Sequence, residues 1–270
     1  MNDSILSIGD ISILYYCFGL SFLIHWIIFI PSYLFKTEKF FDFTGMITYI
    51  SLIVFTLFFK SNMINSIDKE SIILAVLISL WSIRLGFFLF YRILKSGEDK
   101  RFSEIKYSLP KFFSLWTFSA IWVCITCAPA LVVMTSKISD KVDYTLIYIG
   151  MIVWLFGFLF EVIADFQKLL FRNKKENNQN FITTGLWSLS RHPNYFGEIV
   201  LWVGISMICA SMLNGWQYIA LISPIFVYIL LNYISGINLL EKSADKKWGN
   251  LDSYKEYKQK TPELIPKFWN

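Results

Sequence analysis

The chain has 270 residues, of which 55% are hydrophobic and only 17% charged, and its mean hydropathy is +0.50. A soluble domain of this length needs far more polar surface, so the composition argues against a soluble enzyme. The net charge of +5 suits anionic lipid headgroups or an anionic cofactor and requires no nucleic acid.

Seven apolar blocks follow one another along the chain and predict seven membrane-spanning helices. Most reach the roughly 20 residues that a helix needs to cross a bilayer, and the second and sixth are at the short end. We expect an all-α, polytopic integral membrane protein that forms a single domain over residues 1–270. The predicted spans cover about 11–35, 43–60, 71–93, 112–134, 144–166, 196–213 and 216–238.

The basic residues between the blocks predict the orientation of the chain. Nineteen of the 25 fall in the loops after the first, third and fifth spans and in the C-terminal tail, and a twentieth, Arg92, lies at the end of the third span on the same side. The loops on the other side hold Lys60, Lys69, Lys137 and Lys141, and Arg84 lies inside a span. The positive-inside rule therefore places the N-terminus outside and the C-terminus in the cytoplasm. The polar segment 239–270 is expected to fold back onto the cytoplasmic face.

Four cysteines and one histidine lie inside the apolar blocks. Cys124 and Cys127 form a C-x-x-C pattern, but within a predicted span, so two packed thiols are favoured over a redox pair. No zinc-site spacing accompanies them, and we expect no metal. His25 is interpreted as a packing histidine whose ring nitrogens are satisfied.

Ionisable residues inside a membrane segment cost roughly 2.5–3.5 kcal/mol each on insertion scales, so they need a reason. Arg84 lies deep in the third span, either as a snorkelling or paired arginine or as a residue that faces a ligand. Glu161, Asp165, Lys168 and Arg172 are spaced at i, i+4, i+7 and i+11, which puts them on one helical face. The alternatives are an interfacial ion-pair stripe and, as we favour, a stripe that faces a ligand.

The segment "SRHPNYFGEI", residues 190–199, concentrates polar groups between two apolar blocks. Pro193 favours the start of a helix, and Asn194 and Glu198 then share a face. A helix N-terminus beside Arg191 would welcome an anion such as a phosphate. The alternative is a capped helix start at the membrane interface with belt aromatics.

The run "GLWSLSRHPNYFGEIVLW" resembles the membrane reductases of the steroid 5-alpha-reductase superfamily. The segments "LWSIRLGFFLFYRILKSGEDKRF", "GFLFEVIADFQKLLFR", "SGINLLEK" and "YKEYKQKTPELIP" extend the resemblance over about residues 40–268. The likeness is greatest to a branch whose substrates are poorly known. It implies a seven-helix membrane fold, with NADPH entering from the cytoplasmic side.

The resemblance also implies roles for individual residues. Glu161 and Asp165 match an acidic or amide pair on a helix that lines the cofactor, and Arg172 matches a basic residue near the phosphates. In the family's Asn-x-x-Gly-Glu segment, Asn194 would face the nicotinamide. The full set of expected cofactor-binding residues is Glu161, Asp165, Lys168, Arg172, Arg191, His192, Asn194, Tyr195, Glu198, Glu241 and Tyr257.

Two departures from the steroid enzymes concern the substrate. The Gln-Glu pair that binds the steroid ketone is absent, and Glu38 and Asp42 in "KTEKFFDFTG" are the nearest candidates to take its place. Where those enzymes have a tyrosine, this chain has Arg84 or, one register away, Tyr91. Reduction of a polarised C=C bond needs an electrophile at the carbonyl and a proton source, and Arg84, Tyr91 and Glu38 are the catalytic candidates.

Three functions are carried forward. The first is an NADPH-dependent reductase of a C=C bond in a hydrophobic, steroid-, sterol- or lipid-like enone, in a bacterial inner membrane or a eukaryotic endoplasmic reticulum. The second is an S-adenosylmethionine-dependent methyltransferase of the isoprenylcysteine or phospholipid type, which shares the RHP and the C-terminal "ELIP". The third is a non-enzymatic membrane protein. Hydrophobic small molecules and membrane lipids are the expected partners in the first case.

Overall fold

The computed structural model describes residues 5–8, 11–137, 142–177 and 179–268. Lys141, which contributed to the orientation prediction, lies outside the described residues. By their contacts the residues form two compact units, Met1–Val142 with Met212–Leu221, and Asp143–Ser211 with Ile222–Asn270. The expectation of one domain over 1–270 stays a prediction.

The first unit is built from four long helices. Two antiparallel strands of two residues each, which the sequence analysis did not predict, precede them. Beside these strands the backbone N–H of Leu6 donates to Thr135 O at 2.7 Å. Asp68 accepts from Ser71 N at 2.8 Å and so begins the third helix, because a carboxylate satisfies one of the free N–H groups there. The elements are β1 (Ser7–Ile8), β2 (Ile11–Ser12), α1 (Ile13–Leu34), α2 (Phe41–Ile64), α3 (Lys69–Ser96) and α4 (Leu109–Met134).

Polar side chains inside the first unit have protein partners. His25 is fully buried; its Nδ1 lies 2.9 Å from Ser21 O and its Nε2 lies 3.1 Å from Ser119 Oγ. The interpretation of His25 as a satisfied packing residue is confirmed. The cysteines are buried, as expected of packed thiols, at Cys17, Cys124 and Cys127 in this unit and Cys209 in the other.

The second unit starts with two long helices that approach each other closely. A Cβ built at Gly157 would lie 2.6 Å from Gly197 O, and one at Gly150 would lie 2.8 Å from Gly204 O. Only glycine allows the two backbones to come this close. The contact fixes the orientation of the helix that carries Glu161, Asp165, Lys168 and Arg172. The helices are α5 (Tyr144–Asn173), α6 (Pro193–Ala210), α7 (Ser223–Ile229), α8 (Ile237–Trp248) and α9 (Asp252–Lys260).

The predicted seventh span, 216–238, lies within the seventh apolar helical segment, Gly215–Trp248, but the type of helix changes along that segment. A 3₁₀ stretch, Gly215–Ile222, is followed by α7 and then by a π-helical turn, Leu230–Ile234. Pro224 has no N–H to donate to the preceding turn, so a new helix starts there. At Gly236 a Cβ would collide with Leu231 O, so only glycine permits the tight connection into α8.

Seven helical segments among the described residues are long and apolar enough to cross a membrane, which confirms the predicted fold class. The ends of the helices differ from the predicted spans in an informative way. Helix α5 runs seven residues beyond 166, so Lys168 and Arg172 are helical, and α6 begins at Pro193, as its proline favours. Both shifts bring polar residues onto regular helix faces.

Candidate functional site

A cavity of about 260 Å³ lies within the second unit. Its walls come from the last turns of α5, the loop that leads to α6, helix α8 and helix α9. Charged and aromatic side chains make up most of the lining. The lining residues are Lys168, Phe171, Arg172, Asn180, Phe181, Ile182, Trp187, Arg191, His192, Leu240, Glu241, Ser243, Ala244, Lys247, Trp248, Tyr254 and Tyr257.

Positive charge dominates this cavity. Four cationic side chains line it, against one carboxylate, that of Glu241. Lys168 and Arg172 project from one face of α5 because they are four residues apart. The Lys168 ammonium also lies 4.1 Å from the centroid of the Trp187 ring, a cation–π contact that fixes the lysine against the wall. The remaining two cations are Arg191 and Lys247.

Glu241 is the centre of the ionic network at the cavity. Its carboxylate lies 2.9 Å from His192 Nε2, 3.2 Å from Arg191 Nη2 and 3.2 Å from Lys258 Nζ. Lys258 in turn lies 2.7 Å from Asp245 Oδ1. One carboxylate therefore serves three basic groups, and the network joins α8, α9 and the N-terminus of α6.

Two nitrogen atoms in this network lack a partner. Arg191 Nε and His192 Nδ1 are buried and form no hydrogen bond with any described residue, although both side chains line the cavity. His192 is 5% exposed, and the Arg191 side chain is 10% exposed. Buried polar atoms normally form hydrogen bonds, so two buried nitrogens without partners at a cavity wall are expected where a ligand supplies the missing hydrogen bonds.

The ionisation of the network follows from its burial. Burial lowers the pKa of His192, and its hydrogen bond with Glu241 only partly opposes this. With Nε2 donating to the carboxylate, a neutral His192 presents Nδ1 as an acceptor. Burial raises the pKa of the Tyr254 hydroxyl to about 12. Burial lowers the pKa of Lys258, but its hydrogen bonds with Asp245 and Glu241 outweigh this and hold that pKa above its usual value.

Backbone hydrogen bonds connect the C-terminal segment to the residues just before α6. Arg191 N donates to Pro262 O at 2.9 Å, and Lys267 N donates to Leu189 O at 3.0 Å. Ser190 Oγ donates to Leu264 O at 2.8 Å. The segment after α9 thus holds the loop that carries Arg191 and His192, so their positions do not depend on α6 alone.

Aromatic rings also line the cavity, and the sequence analysis missed most of them. Phe181 lies 5.6 Å from Trp248, 5.1 Å from Tyr254 and 5.7 Å from Tyr257, measured between ring centroids. Tyr257 also donates its hydroxyl to Trp187 O at 2.6 Å. Of these rings only Tyr257 was predicted. Tyr254 was missed although it lies three residues earlier in the same segment, whereas Phe181 and Trp248 come from separate elements that share no sequence motif.

Six predicted cofactor residues line the cavity together, namely Lys168, Arg172, Arg191, His192, Glu241 and Tyr257. The other five, Glu161, Asp165, Asn194, Tyr195 and Glu198, lie on α5 and α6 and are absent from its lining. Asn194 Nδ2 donates to Asp165 Oδ1 at 3.2 Å, and Tyr195 stacks on His192 with 5.8 Å between ring centroids. Glu161 and Glu198 are buried.

The three catalytic candidates lie in the first unit. Glu38 is buried; its Oε2 accepts from Lys106 Nζ at 3.0 Å and its Oε1 accepts from Asp99 N at 2.9 Å. Arg84 is half-buried on α3, and Tyr91, seven residues later, is 51% exposed. Their catalytic assignment stays a prediction.

Comparison with known proteins identifies relatives. The model of the family described as "Protein of unknown function (DUF1295)" matches residues 28–261. An uncharacterized protein of Schizosaccharomyces pombe is 22% identical over 234 residues, which cover 75% of this chain and 65% of that protein. The steroid 5-alpha-reductase DET2 of Arabidopsis thaliana is 30% identical over 120 residues, 44% of this chain and 40% of that protein.

The chain thus spans less than two thirds of the length of either curated relative. No solved structure matches it at a significant level.

Proposed function

Because the chain belongs to the DUF1295 family, within the steroid 5-alpha-reductase-like superfamily, we propose that it is a membrane reductase that uses NADPH. Its substrate would be a hydrophobic enone, of the steroid, sterol or lipid type, whose C=C bond is reduced. The similarity to a steroid 5-alpha-reductase supports the reaction class. The observation that carries the cofactor is the cationic cavity with two unpartnered buried nitrogens.

The residues of the cavity fit a phosphorylated nucleotide. An excess of cations over the single carboxylate suits phosphate groups, and arginine in particular binds them through its planar guanidinium. The Arg191 Nε atom is a free donor for a phosphate oxygen. His192 Nδ1, as an acceptor, suits a ligand hydroxyl or amide N–H. The rings of Phe181, Trp187 and Trp248 supply flat apolar surfaces for a base.

The volume of the cavity limits what it holds. Small-molecule pockets commonly measure about 300–1,000 Å³, and 260 Å³ is just below that range. The cavity therefore matches one half of a dinucleotide, and the other half would extend along α5 and α6 past Asp165 and Asn194. NADPH, when bound, supplies a hydride; the chain's residues bind and orient it and exclude water.

The charge of the cavity also separates the two candidate cofactors. S-adenosylmethionine carries a positive sulfonium, which an excess of cations disfavours, whereas NADPH carries three phosphate groups. NADPH has one phosphate more than NADH, so the same cations favour NADPH. The placement of the cavity at a cytoplasmic face, and the identity of the proton donor, stay predictions.

A thermal-shift experiment on detergent-purified protein tests the proposal with NADPH, NADH and S-adenosylmethionine in parallel. A ligand at 100 times its dissociation constant adds about 2.7 kcal/mol of stability. We expect the largest shift with NADPH, and Arg191→Gln should weaken binding by about tenfold or more, since a charge-assisted hydrogen bond contributes about 1.5–3 kcal/mol.

Lys260→Gln is the matched control, since it removes one cation from α9 outside the cavity, where Lys260 pairs with Glu256 at the surface. It should leave the NADPH shift unchanged. A shift with S-adenosylmethionine alone would overturn the reductase in favour of the methyltransferase. A shift with none of the three would favour a non-enzymatic membrane protein.

A further inference from the structure

Helix α8 has two opposite faces, and the cavity uses only one of them. Successive residues of an α-helix are rotated by about 100°. The α8 residues that line the cavity fall within one arc of the helix; they are Leu240, Glu241, Ser243, Ala244, Lys247 and Trp248. Leu239, Lys242 and Lys246 fall on the opposite arc and are absent from the cavity lining.

The three residues of this outer face are open to the surroundings. Leu239 is 46% exposed, and Lys242 and Lys246 are exposed. Neither lysine forms an ion pair or side-chain hydrogen bond with a described residue, in contrast to the surface lysines of α9. There, Lys255 pairs with Asp252 at 3.0 Å, and Lys260 pairs with Glu256. The outer face of α8 therefore carries two uncompensated positive charges beside an exposed leucine.

This face continues the surface of the span that precedes it. The π-helical turn ends at Ile234, and α8 begins only three residues later, at Ile237. Tyr233 and Ile234 are 63% and 50% exposed, as residues that contact lipid would be. A short helix directly after a span, with an apolar residue and lysines on its free face, has the pattern of a helix in the headgroup layer.

We propose that α8 is an interfacial helix whose outer face binds anionic phospholipid headgroups through Lys242 and Lys246, with Leu239 directed toward the acyl chains. The two unpaired charges and their position at the end of a span select this partner. Because the other face of the same helix supplies Glu241 and Lys247 to the cavity, a bound lipid would hold that wall of the cavity at a fixed depth.

The test is a titration of detergent-purified protein with dihexanoyl phosphatidylglycerol and, in parallel, dihexanoyl phosphatidylcholine, with bound lipid counted by native mass spectrometry. We expect the wild-type chain to prefer phosphatidylglycerol. The variant Lys242→Gln/Lys246→Gln should lose roughly tenfold or more of its affinity for that lipid, since each lysine near an anionic surface contributes about 1 kcal/mol.

Two matched variants make the result specific. Lys255→Gln/Lys260→Gln removes the same charge from α9 and should keep the preference, and Lys242→Arg/Lys246→Arg should restore it on α8. Equal binding of both lipids by the wild-type chain would overturn the proposal. An equal loss in the α8 and α9 glutamine variants would overturn it too, because binding would then follow net charge and not this face. None of these outcomes depends on NADPH.

Discussion

Two carboxylates, the buried Glu38 in the first unit and the partly exposed Glu241 in the second, differ in the number of basic side chains that contact them. Glu38 has one cation, Lys106, at 3.0 Å, and its other oxygen accepts from Asp99 N. The hydrogen bond with Glu38 raises the pKa of Lys106, as expected for a pair in which both charges are retained. This pair ties the turn after α1 to the loop after α3.

Glu241 instead shares its carboxylate among three basic groups, and two buried nitrogens beside it have no partner. A carboxylate whose two oxygens are matched by two donors forms a closed contact that stabilises a fold. Around Glu241, Arg191 also pairs with Glu263 at 3.3 Å and Lys258 with Asp245 at 2.7 Å, but Arg191 Nε and His192 Nδ1 have no partner among the described residues. The two carboxylates thus differ in whether the buried groups around them are all paired, and unpaired buried nitrogens are expected where a ligand binds.

The largest expected effect comes from breaking the closed pair. Lys106→Met leaves Glu38 buried without its cation and should cost about 3 kcal/mol of stability, because an unpaired buried charge is strongly unfavourable. The measurement is the unfolding temperature in detergent. Glu38→Gln/Lys106→Met removes both charges and should recover most of the loss. Equal losses in the single and double variants would show that packing of the lysine, not charge, holds this contact.

The sequence predicted most of the fold because continuous apolar blocks report helices in lipid directly. Local signals also placed some ends: Pro193 begins α6 in the structure, as its missing N–H favours. The seventh span was predicted in the right place, but hydropathy does not register the changes of helix type within it. Pro224 and Gly236 interrupt it without lowering its apolar character.

A second, smaller effect is expected from Glu241→Gln, which sharpens the contrast. Arg191 and Lys258 lose the Glu241 charge but keep pairs with Glu263 at 3.3 Å and Asp245 at 2.7 Å. The loss of the hydrogen bonds to the Glu241 carboxylate should lower the stability of the protein without ligand by about 2 kcal/mol. The phosphates of NADPH would replace that charge, so the thermal shift with NADPH should be at least as large as in the wild-type chain. Lys106→Met should show no such rescue. Loss of the NADPH shift in Glu241→Gln would mean that the carboxylate itself contacts the ligand.

The site was predictable only where its residues share a helix face. Lys168 and Arg172 follow from their spacing on α5, and Arg191 and His192 follow from one motif. Lys247 was missed because it lies six residues after Glu241, about 120° around the helix, and not at the i+3, i+4 or i+7 positions that share its face. Phe181 could not have been found, since no local pattern relates its loop to α8 and α9.

The smallest expected effect is a pH dependence that involves His192. Burial lowers its pKa, and the neighbouring charges of Lys168 and Arg191 act in the same direction. The folded state therefore binds fewer protons than the unfolded state, in which the pKa is near 6.5. The contribution of neutral His192 to the free energy of unfolding is therefore complete above about pH 6.5. It is lost as the pH falls through that value toward the pKa of the folded state. Each unit of lowering is equivalent to about 1.4 kcal/mol.

Unfolding temperatures between about pH 5 and 8 test this contribution, with His192→Gln as the comparison. Glutamine keeps a donor for Glu241 but does not titrate, so the variant should lose less stability on acidification than the wild-type chain. Other titrating groups are common to both chains, so their contribution cancels in the difference. Identical slopes would mean that His192 binds its proton equally in both states, and the burial of its unpartnered Nδ1 would then not govern its charge.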